Sequence, residues 1–448
     1  MEKRKLLHLK PLCLIACTVI LSKAQAQGKA KQTIALSLET AWQQADTNNK
    51  AVLGQRKQVA IGQELVKNAK SERLPRLPFR GEYAYLGGLY GYEPRGGLRN
   101  PEHVPVPPSP HAYAAGLSAE WDVYTGGRVK NEIATQQLNA TLDEVRLAVT
   151  QQDVHLRVAQ AYLDVRRNLD YQRLTEGNVR ESARRLRQIQ SLYKNGVVLR
   201  SDLLRAELQL SQQQLLLTEI ANNITLANQR LNLLMGAPED QPNLPAADIL
   251  PPAVAATYAD YLQRAQTQAP ELRLAGLQTQ VSELRLANTA VARRPQVGLF
   301  AGYSYNFPNR LTFPFVPQIY SFGQVGVRVA YNLLGGYADR HAEKAAELAV
   351  ERQKIAQEAA LDDKREEVKT AYVRYHETLE RIRIAEQNIG QATENYRIVN
   401  STYFNQLSLL TDLLDADNQL LQSRFDLVTA QVQAATQYYQ LQKALGTL

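Results

Sequence analysis

The sequence predicts a mainly α protein with transmembrane β, built as two tandem repeats of helix, strand, strand and long helical hairpin. Three observations carry this: an internal duplication along 448 residues, helical stretches too long for a globular core, and strands alternating at period two.

The chain opens with the three parts of a secretory signal over residues 1–26. A basic start ends near Lys10, an apolar stretch runs from Leu12 to Leu21, and Ala24-Gln25-Ala26 offers a small-x-small site with cleavage after Ala26. Leu14-Ile15-Ala16-Cys17 also reads as a bacterial lipobox, so a lipid anchor at Cys17 is the alternative. Both cysteines, Cys13 and Cys17, lie in this segment, which suits an oxidising periplasm and removes thiol catalysis and Cys-ligated metals from the mature chain. Lys3, Arg4, Lys5, Lys10 and Lys23 against Glu2 supply half of the formal charge of +8, so charge gives no reason to expect a nucleic-acid partner. Past this segment no run is long and apolar enough for a membrane-spanning helix.

The duplication fixes the domain plan. At an offset of 220, Ala45 meets Ala265, Pro75 meets Pro295, and Tyr83-Ala84-Tyr85 meets Tyr303-Ser304-Tyr305. From Trp121 the offset is 210, where Ala161-Tyr162 meets Ala371-Tyr372, Tyr193 meets Tyr403, and Asp202-Leu203-Leu204 meets Asp412-Leu413-Leu414. The first repeat covers 27–236, with strands near 79–92 and 112–124 and a helical hairpin near 128–235. A linker or equatorial segment follows over 237–257; the second repeat covers 258–448, with strands near 297–307 and 321–334 and a hairpin near 337–445. The change of offset places an insertion in the Pro-rich stretch 93–111, an exposed loop.

Residues 128–194 contain no proline, and a helix of that length reaches about 100 Å, so it needs partners along its length. Leu138, Leu142, Val145, Val149, Leu156, Ala159 and Leu163 step by four and three in a coiled-coil seam. Helices alone fit a coiled-coil scaffold equally well. The strands separate the two readings: Tyr113, Ala115, Leu117, Ala119, Trp121 and Val123 alternate with Ala114, Gly116, Ser118, Glu120, Asp122 and Tyr124. Val325, Val327, Val329, Tyr331 and Leu333 repeat the pattern, and tyrosine supplies 22 of the aromatic residues, which suits rings at a membrane interface. Four strands cannot close a barrel, and open edges are not tolerated in lipid, so strands must be pooled between chains. Two chains give eight strands and a filled interior; three give twelve and leave a passage.

This combination resembles the TolC-like outer membrane efflux proteins, over nearly the whole mature chain. Trp121-Asp122-Val123-Tyr124-Thr125-Gly126-Gly127-Arg128 and Tyr331-Asn332-Leu333-Leu334-Gly335-Gly336 look like that family's strand-to-helix junction, with Gly126, Gly127, Gly335 and Gly336 at the turn. Asp122 and Asn332 stand where a proline is common in the family. The stretches 192–204 and 403–415 resemble the family's distal coiled-coil tips, where Asn195-Gly196 stops a helix and Ser201 or Thr411 offers an N-cap.

The resemblance implies a homotrimer whose twelve-stranded β-barrel in the outer membrane of a Gram-negative bacterium continues as an α-helical coiled-coil barrel in the periplasm. It implies a passive exit duct of a tripartite efflux or type I secretion system, carrying small molecules or polypeptides. A periplasmic adaptor (membrane fusion) protein would link it to an inner membrane pump of RND or ABC type. Gly196, Val197, Val198, Leu199, Gln406, Leu407 and Leu409 would form the adaptor-contact tips. Asp412 and Asp415 match pore-facing acids of the constriction, and Tyr403 matches a tyrosine of the closed gate. For both acids, first-turn carboxylates that complement the helix dipole are the competing explanation, weighed equally for Asp412 and second for Asp415. Ser408 and Gln406 depart from the family's arginine and glycine. A periplasmic coiled-coil adaptor or scaffold is the alternative function.

Nothing points to an enzyme, a cofactor or a metal. His155, His341 and His376 sit singly on predicted helices, and His103 and His111 flank the Pro-rich loop without nearby acids or cysteines. Arg180, Arg184, Arg185 and Arg187 read as a solvated helix face, since no aromatics interleave them.

Overall fold

Two copies of one unit make up the computed structural model, which describes residues 35–85, 90–91, 102–103, 109–246, 256–309, 316–333 and 339–448. The signal segment with Cys17 and Ala26, the glycines Gly335 and Gly336, and most of the Pro-rich loop lie outside the described residues. In the first copy β1 (Ala35–Leu36), α1 (Leu38–Asn48) and α2 (Lys50–Ser71) lead to β2 (Phe79–Tyr85). A short ladder of β3 (Tyr90–Gly91) and β4 (Glu102–His103) precedes β5 (His111–Tyr124), then α3 (Arg128–Lys194) and α4 (Arg200–Met235). After β6 (Leu244–Pro245), the second copy comprises α5 (Tyr258–Gln268), α6 (Pro270–Thr289), β7 (Gln296–Phe307), β8 (Tyr320–Ala330), α7 (Arg340–Phe404) and α8 (Leu410–Leu445).

Local chemistry sets the breaks. Ser37 Oγ accepts the Thr40 N–H at 3.1 Å to start α1, and Asn49, which ends it, caps α2 by accepting the Ala51 N–H at 2.9 Å. Thr257 and Asp260 form a capping box on α5, and Pro270 opens α6 at a position where no amide donor is needed. The long helices stop at Gly236 and Gly446, with the same hydrogen bonds on both sides of the repeat.

The sheet runs β2-β5-β7-β8, antiparallel throughout, so each copy contributes one hairpin and the two hairpins join through β5 and β7. Of the strand expected over 79–92, the described residues hold β2 to Tyr85 and β3 at Tyr90–Gly91, and the remainder lies outside them. The strand expected over 321–334 ends at Ala330, whose partner Gln296 follows Pro295, a residue with no N–H to extend the ladder. α7 starts at Arg340, three residues after the expected start of the second hairpin.

Two equivalent cores sit where the helices cross. Val158, Leu231 and Met235 pack with Val52 and Tyr162 in one, and Val368, Leu441 and Leu445 pack with Tyr261 and Tyr375 in the other. Besides much of the expected seam, α3 buries Val154, Val158, Ala161, Val165 and Asn168, because it packs against four helices, α2, α4, α6 and α8. One seam was therefore too few. His155 belongs to this region: its ring stacks on Trp42 at 5.3 Å and its Nε2 lies 3.1 Å from Asp46.

Candidate functional site: a two-faced sheet and a pair of distal turns

Antiparallel pairing sorts the strand residues into rows. One face presents Ala119, Ala301, Val325, Leu299, Val327 and Val329, with Trp121 towards the helices and Tyr83, Tyr113, Tyr305 and Phe307 towards the far end. The other presents Arg80, Glu82, Ser118, Glu120, Asp122, Gln324 and Arg328 among glycines and alanines, with the rings of Phe300, Tyr320 and Phe322. Val325 is 85% exposed and Val329 67%, so the single chain leaves its apolar face uncovered. An aliphatic band next to an aromatic rim matches hydrocarbon and interface, and the polar face matches water. Tyr124, expected on the polar side, departs from the alternation: a bulge after Asp122 pairs it with Val297 and turns it to the apolar face.

The strand-to-helix junction needs its glycines. Gly126 and Gly127 have φ of +65° and +102°, and a Cβ on Gly126 would stand 2.8 Å from Arg294 Cβ. Arg294 Nη1 donates to the Gly126 carbonyl at 3.0 Å, and Arg293 pairs with Glu343, so the segment before β7 clasps the starts of α3 and α7. Asp122 lies 3.4 Å from Arg76.

At the opposite end of the helices the two hairpin turns share one backbone. Gly196 and Gln406 are both left-handed, with φ of +74° and +65°, and each donates its N–H at 2.9 Å, to the Tyr193 and Tyr403 carbonyls. Val197, Leu199, Leu407 and Leu409 are exposed, the three leucines strongly, whereas Val198 is half-buried against a distal core of Ile189, Ala206, Tyr403, Leu410 and Leu413. A cleft of about 530 Å³ opens between the turns, lined by Leu192, Val197, Asp202, Tyr403, Gln406 and Leu409.

The structure places the expected gate residues in two environments. Tyr403 is buried, its hydroxyl has no hydrogen-bond partner among the described residues, and burial, with the nearby Asp202 charge, holds its phenol above the usual range. Asp412 and Asp415 are exposed, one turn apart on α8. Asp412 accepts the Leu409 N–H at 3.2 Å, so it closes the helix start. The N-caps are Leu199 and Leu409 rather than the expected Ser201 and Thr411, because each leucine carbonyl already takes a first helical amide.

Above this end lies a buried polar group around Arg185, which the sequence places on a solvated helix face. Arg185 is 4% exposed; Nη1 donates to Asp417 at 3.1 Å and Nη2 to the Tyr396 hydroxyl at 2.9 Å. Burial opposes the Arg185 charge, but Asp417 and Tyr396 outweigh it and hold its pKa above the ordinary value. Asn178 also donates to Asp417, at 3.3 Å, while the buried Thr175 and Ser182 hydroxyls find no partner. A signal did exist: Asn178, Ser182, Arg185 and Ile189 step by four, three and four, so Arg185 continues a buried seam.

Among the described residues no helix is long and apolar enough to cross a membrane. A family model described as outer membrane efflux protein matches residues 41–237 and 261–447. The structure resembles the outer-membrane channel OprN with a TM-score of 0.74 at 16% identity, over 92% of this chain and 90% of that one. It also resembles the outer membrane protein VceC of Vibrio cholerae, with a TM-score of 0.71 at 17% identity over 91% of this chain and 96% of that one. For the CmeC outer membrane channel of Campylobacter jejuni the values are 0.72 and 14%, over 92% and 85%. No curated protein sequence matches the chain. At these identities the structural likeness establishes the fold, while the family match spans both repeats.

Proposed function

The chain belongs to the outer membrane efflux protein family, a family of export channels, and from that premise we propose that three copies pool their strands into a twelve-stranded barrel. The observation that carries this is the four-stranded sheet with an uncovered apolar face, a polar face and two unpaired edges, β2 and β8. Unpaired edges in lipid leave rows of unsatisfied amides and carbonyls, which closure of the barrel removes. The helical hairpins then continue the wall into the periplasm of a Gram-negative bacterium. The N-terminal segment directs export and is cut after Ala26, with a lipid anchor at Cys17 the less favoured processing.

In this reading the duct has no reaction of its own. Energy and cargo come from an inner membrane pump of RND or ABC type through a periplasmic adaptor, which seats on the tips at Gly196, Val197, Val198, Leu199, Gln406, Leu407 and Leu409. Exposed apolar residues at the end of a helical hairpin, away from the sheet that meets lipid, support a protein contact there. Three copies of Asp415, with Asp412, ring the constriction above Tyr403. Crowded carboxylates within a Debye length of about 8 Å concentrate cations.

Sizing of the detergent-extracted protein, followed by single-channel recording, tests both parts. A trimer is expected, with cation selectivity that falls when Asp412 and Asp415 are both replaced by alanine. A stable monomer that needs no detergent would sink the barrel. Unchanged selectivity in the double variant would remove the acids from the pore and leave Asp412 as a helix cap alone.

A further inference from the structure

The two repeats serve as a ruler for a contact that one chain cannot make. Adding 220 to β2 and 210 to β5 reproduces the β7–β8 register: Phe79↔Leu117 becomes Leu299↔Val327, and Tyr85↔His111 becomes Tyr305↔Ser321. The helices obey the same offsets. α4 at Arg200–Met235 maps onto α8 at Leu410–Leu445, and Gly236 backs onto Asn48 as Gly446 backs onto Gln268. The repeats meet within the chain through β5 on β7, α3 on α6 and α3 on α8. The equivalent faces at the chain's outer flanks, β8, α7, β2, α2 and α4, meet nothing equivalent. A ring of such chains repeats its internal junction at each boundary between copies.

We infer that copies of this chain join β8 to β2, and α7 to α2 and α4, in the register of the internal junction. This rests on the proposed assembly into a closed barrel. Applying the offsets to β5 and β7 turns Ser118↔Gly302 into Arg328 opposite the partner's Glu82. Ala119↔Ala301 becomes Val329 opposite the partner's Gly81, and Leu117↔Tyr303 becomes Val327 opposite the partner's Tyr83. Two neutral residues thus map onto opposite charges, both on the polar face. Among the described residues neither Arg328 nor Glu82 has an ion-pair partner, and Arg328 only caps the Phe300 ring at 5.4 Å.

The helices carry images of the same junction. α3 packs on α6 through a cluster that includes Leu138, Val145 and Val281. Their images are Leu348, Ile355 and the partner's Ile61, which are 52%, 66% and 51% exposed in a single chain, whereas Leu142 and Leu277 of the same cluster map onto Arg352 and the partner's Lys57, which carry like charge. Tyr171, tilted on Phe425 at 4.5 Å and bonded to Thr429, maps onto Arg381, which also holds Glu377 of its own helix, against the partner's Leu215 and Glu219. An arginine stem on leucine with its head at a carboxylate is again a complementary pair. The strands carry the register: it sets Arg328 opposite the partner's Glu82 on one face and stranded apolar residues on the other.

Paired cysteines in the full-length, membrane-extracted protein test the register, since the other cysteines, Cys13 and Cys17, lie in the N-terminal segment. Gly81→Cys with Val329→Cys should form an intermolecular disulfide on mild oxidation. Gly81→Cys with Val327→Cys is displaced two residues, about 7 Å, along the strand and should yield about tenfold less. The reverse pattern in assembled protein overturns the register and leaves the channel standing, whereas a wild-type chain that stays monomeric overturns the assembly and this inference with it. For the ion pair, Arg328→Glu should lower the temperature at which the assembly dissociates, and adding Glu82→Arg should restore it. A double variant no more heat-resistant than the single one overturns the pairing.

Discussion

The distal turns of the two hairpins have one backbone and two chemistries. In the first, Asn195-Gly196 is followed by the exposed Val197 and Leu199; in the second, Asn405-Gln406 is followed by the exposed Leu407 and Leu409. A left-handed residue costs a side chain about 1–2 kcal/mol, so the second turn keeps its shape against the preference of Gln406. Its neighbours supply the difference: Tyr403 and Leu410 are buried beneath it, Thr402 Oγ1 donates to Ser408 Oγ at 3.1 Å, and Asp412 closes the following helix. Turn geometry at this end is therefore set by packing. The residue at its apex is left to tune stability and the surface offered outward.

The sides of the hairpins differ more than their ends, and the largest effect is expected there. Arg185 and Asp417 fasten α3 to α8 with a buried pair, whereas their images at an offset of 210, Asn395 and Glu207, are exposed and of no complementary charge. Arg185→Ala leaves Asp417 buried and uncompensated and should destabilise the protein by about 3–5 kcal/mol, while Asn395→Ala should cost no more than about 0.5 kcal/mol. Denaturant titration of detergent-solubilised protein reads both. Replacing Arg185 and Asp417 together by leucine should recover most of the loss, because the desolvation penalty goes with the charges. If the two single variants lost equal stability, the contrast between the sides would be gone.

A smaller effect sharpens the contrast between the turns. Gly196→Ala has open space around the new Cβ, so its expected cost of about 1 kcal/mol is backbone strain alone. Gln406→Gly should move in the opposite direction, gaining up to about 1 kcal/mol as the strain at φ +65° is released. Thermal midpoints that fall for both would show that the Gln406 side chain has a binding partner at the tip.

Much of this architecture was legible because it is periodic. The offsets read from Ala45 and Ala265 or Tyr193 and Tyr403 reappear in the strand registers, and the alternation from Tyr113 to Val123 is the face the sheet exposes. What escaped was non-local or a break in the period. Arg185 sits among arginines that do look outward, with Arg184 bridging Glu181, and its partner Asp417 is 232 residues away. Tyr124 changed face through one unpaired residue, which no alternation count can register. Ser201 and Thr411 are good cap types, but helix starts are decided by backbone geometry, and here leucines hold the cap position.

The smallest expected effect separates Tyr403 from its image Tyr193. Tyr403 is buried with an unpartnered hydroxyl, whereas Tyr193 is 39% exposed. Burial first and the Asp202 charge second raise the Tyr403 phenol above 10.0, so the folded state keeps the proton after the unfolded chain has lost it. The sign follows from proton binding: between the unfolded value near 10 and the higher folded one, the folded state holds more protons, and stability is lost as pH rises through that window. Tyr403→Phe removes a group that must stay neutral and a hydroxyl that gains nothing, so stability near pH 7 should change by less than about 1 kcal/mol. Above about pH 10 the variant should lose less stability than the wild type. Tyr162, Tyr261, Tyr375 and Tyr439 are raised by burial too, so the wild-type decline is shared and only the difference between variants reports Tyr403. Parallel limbs for Tyr403→Phe and wild type would mean that water reaches the Tyr403 hydroxyl, and that the floor beneath the second turn is less dry than its packing implies.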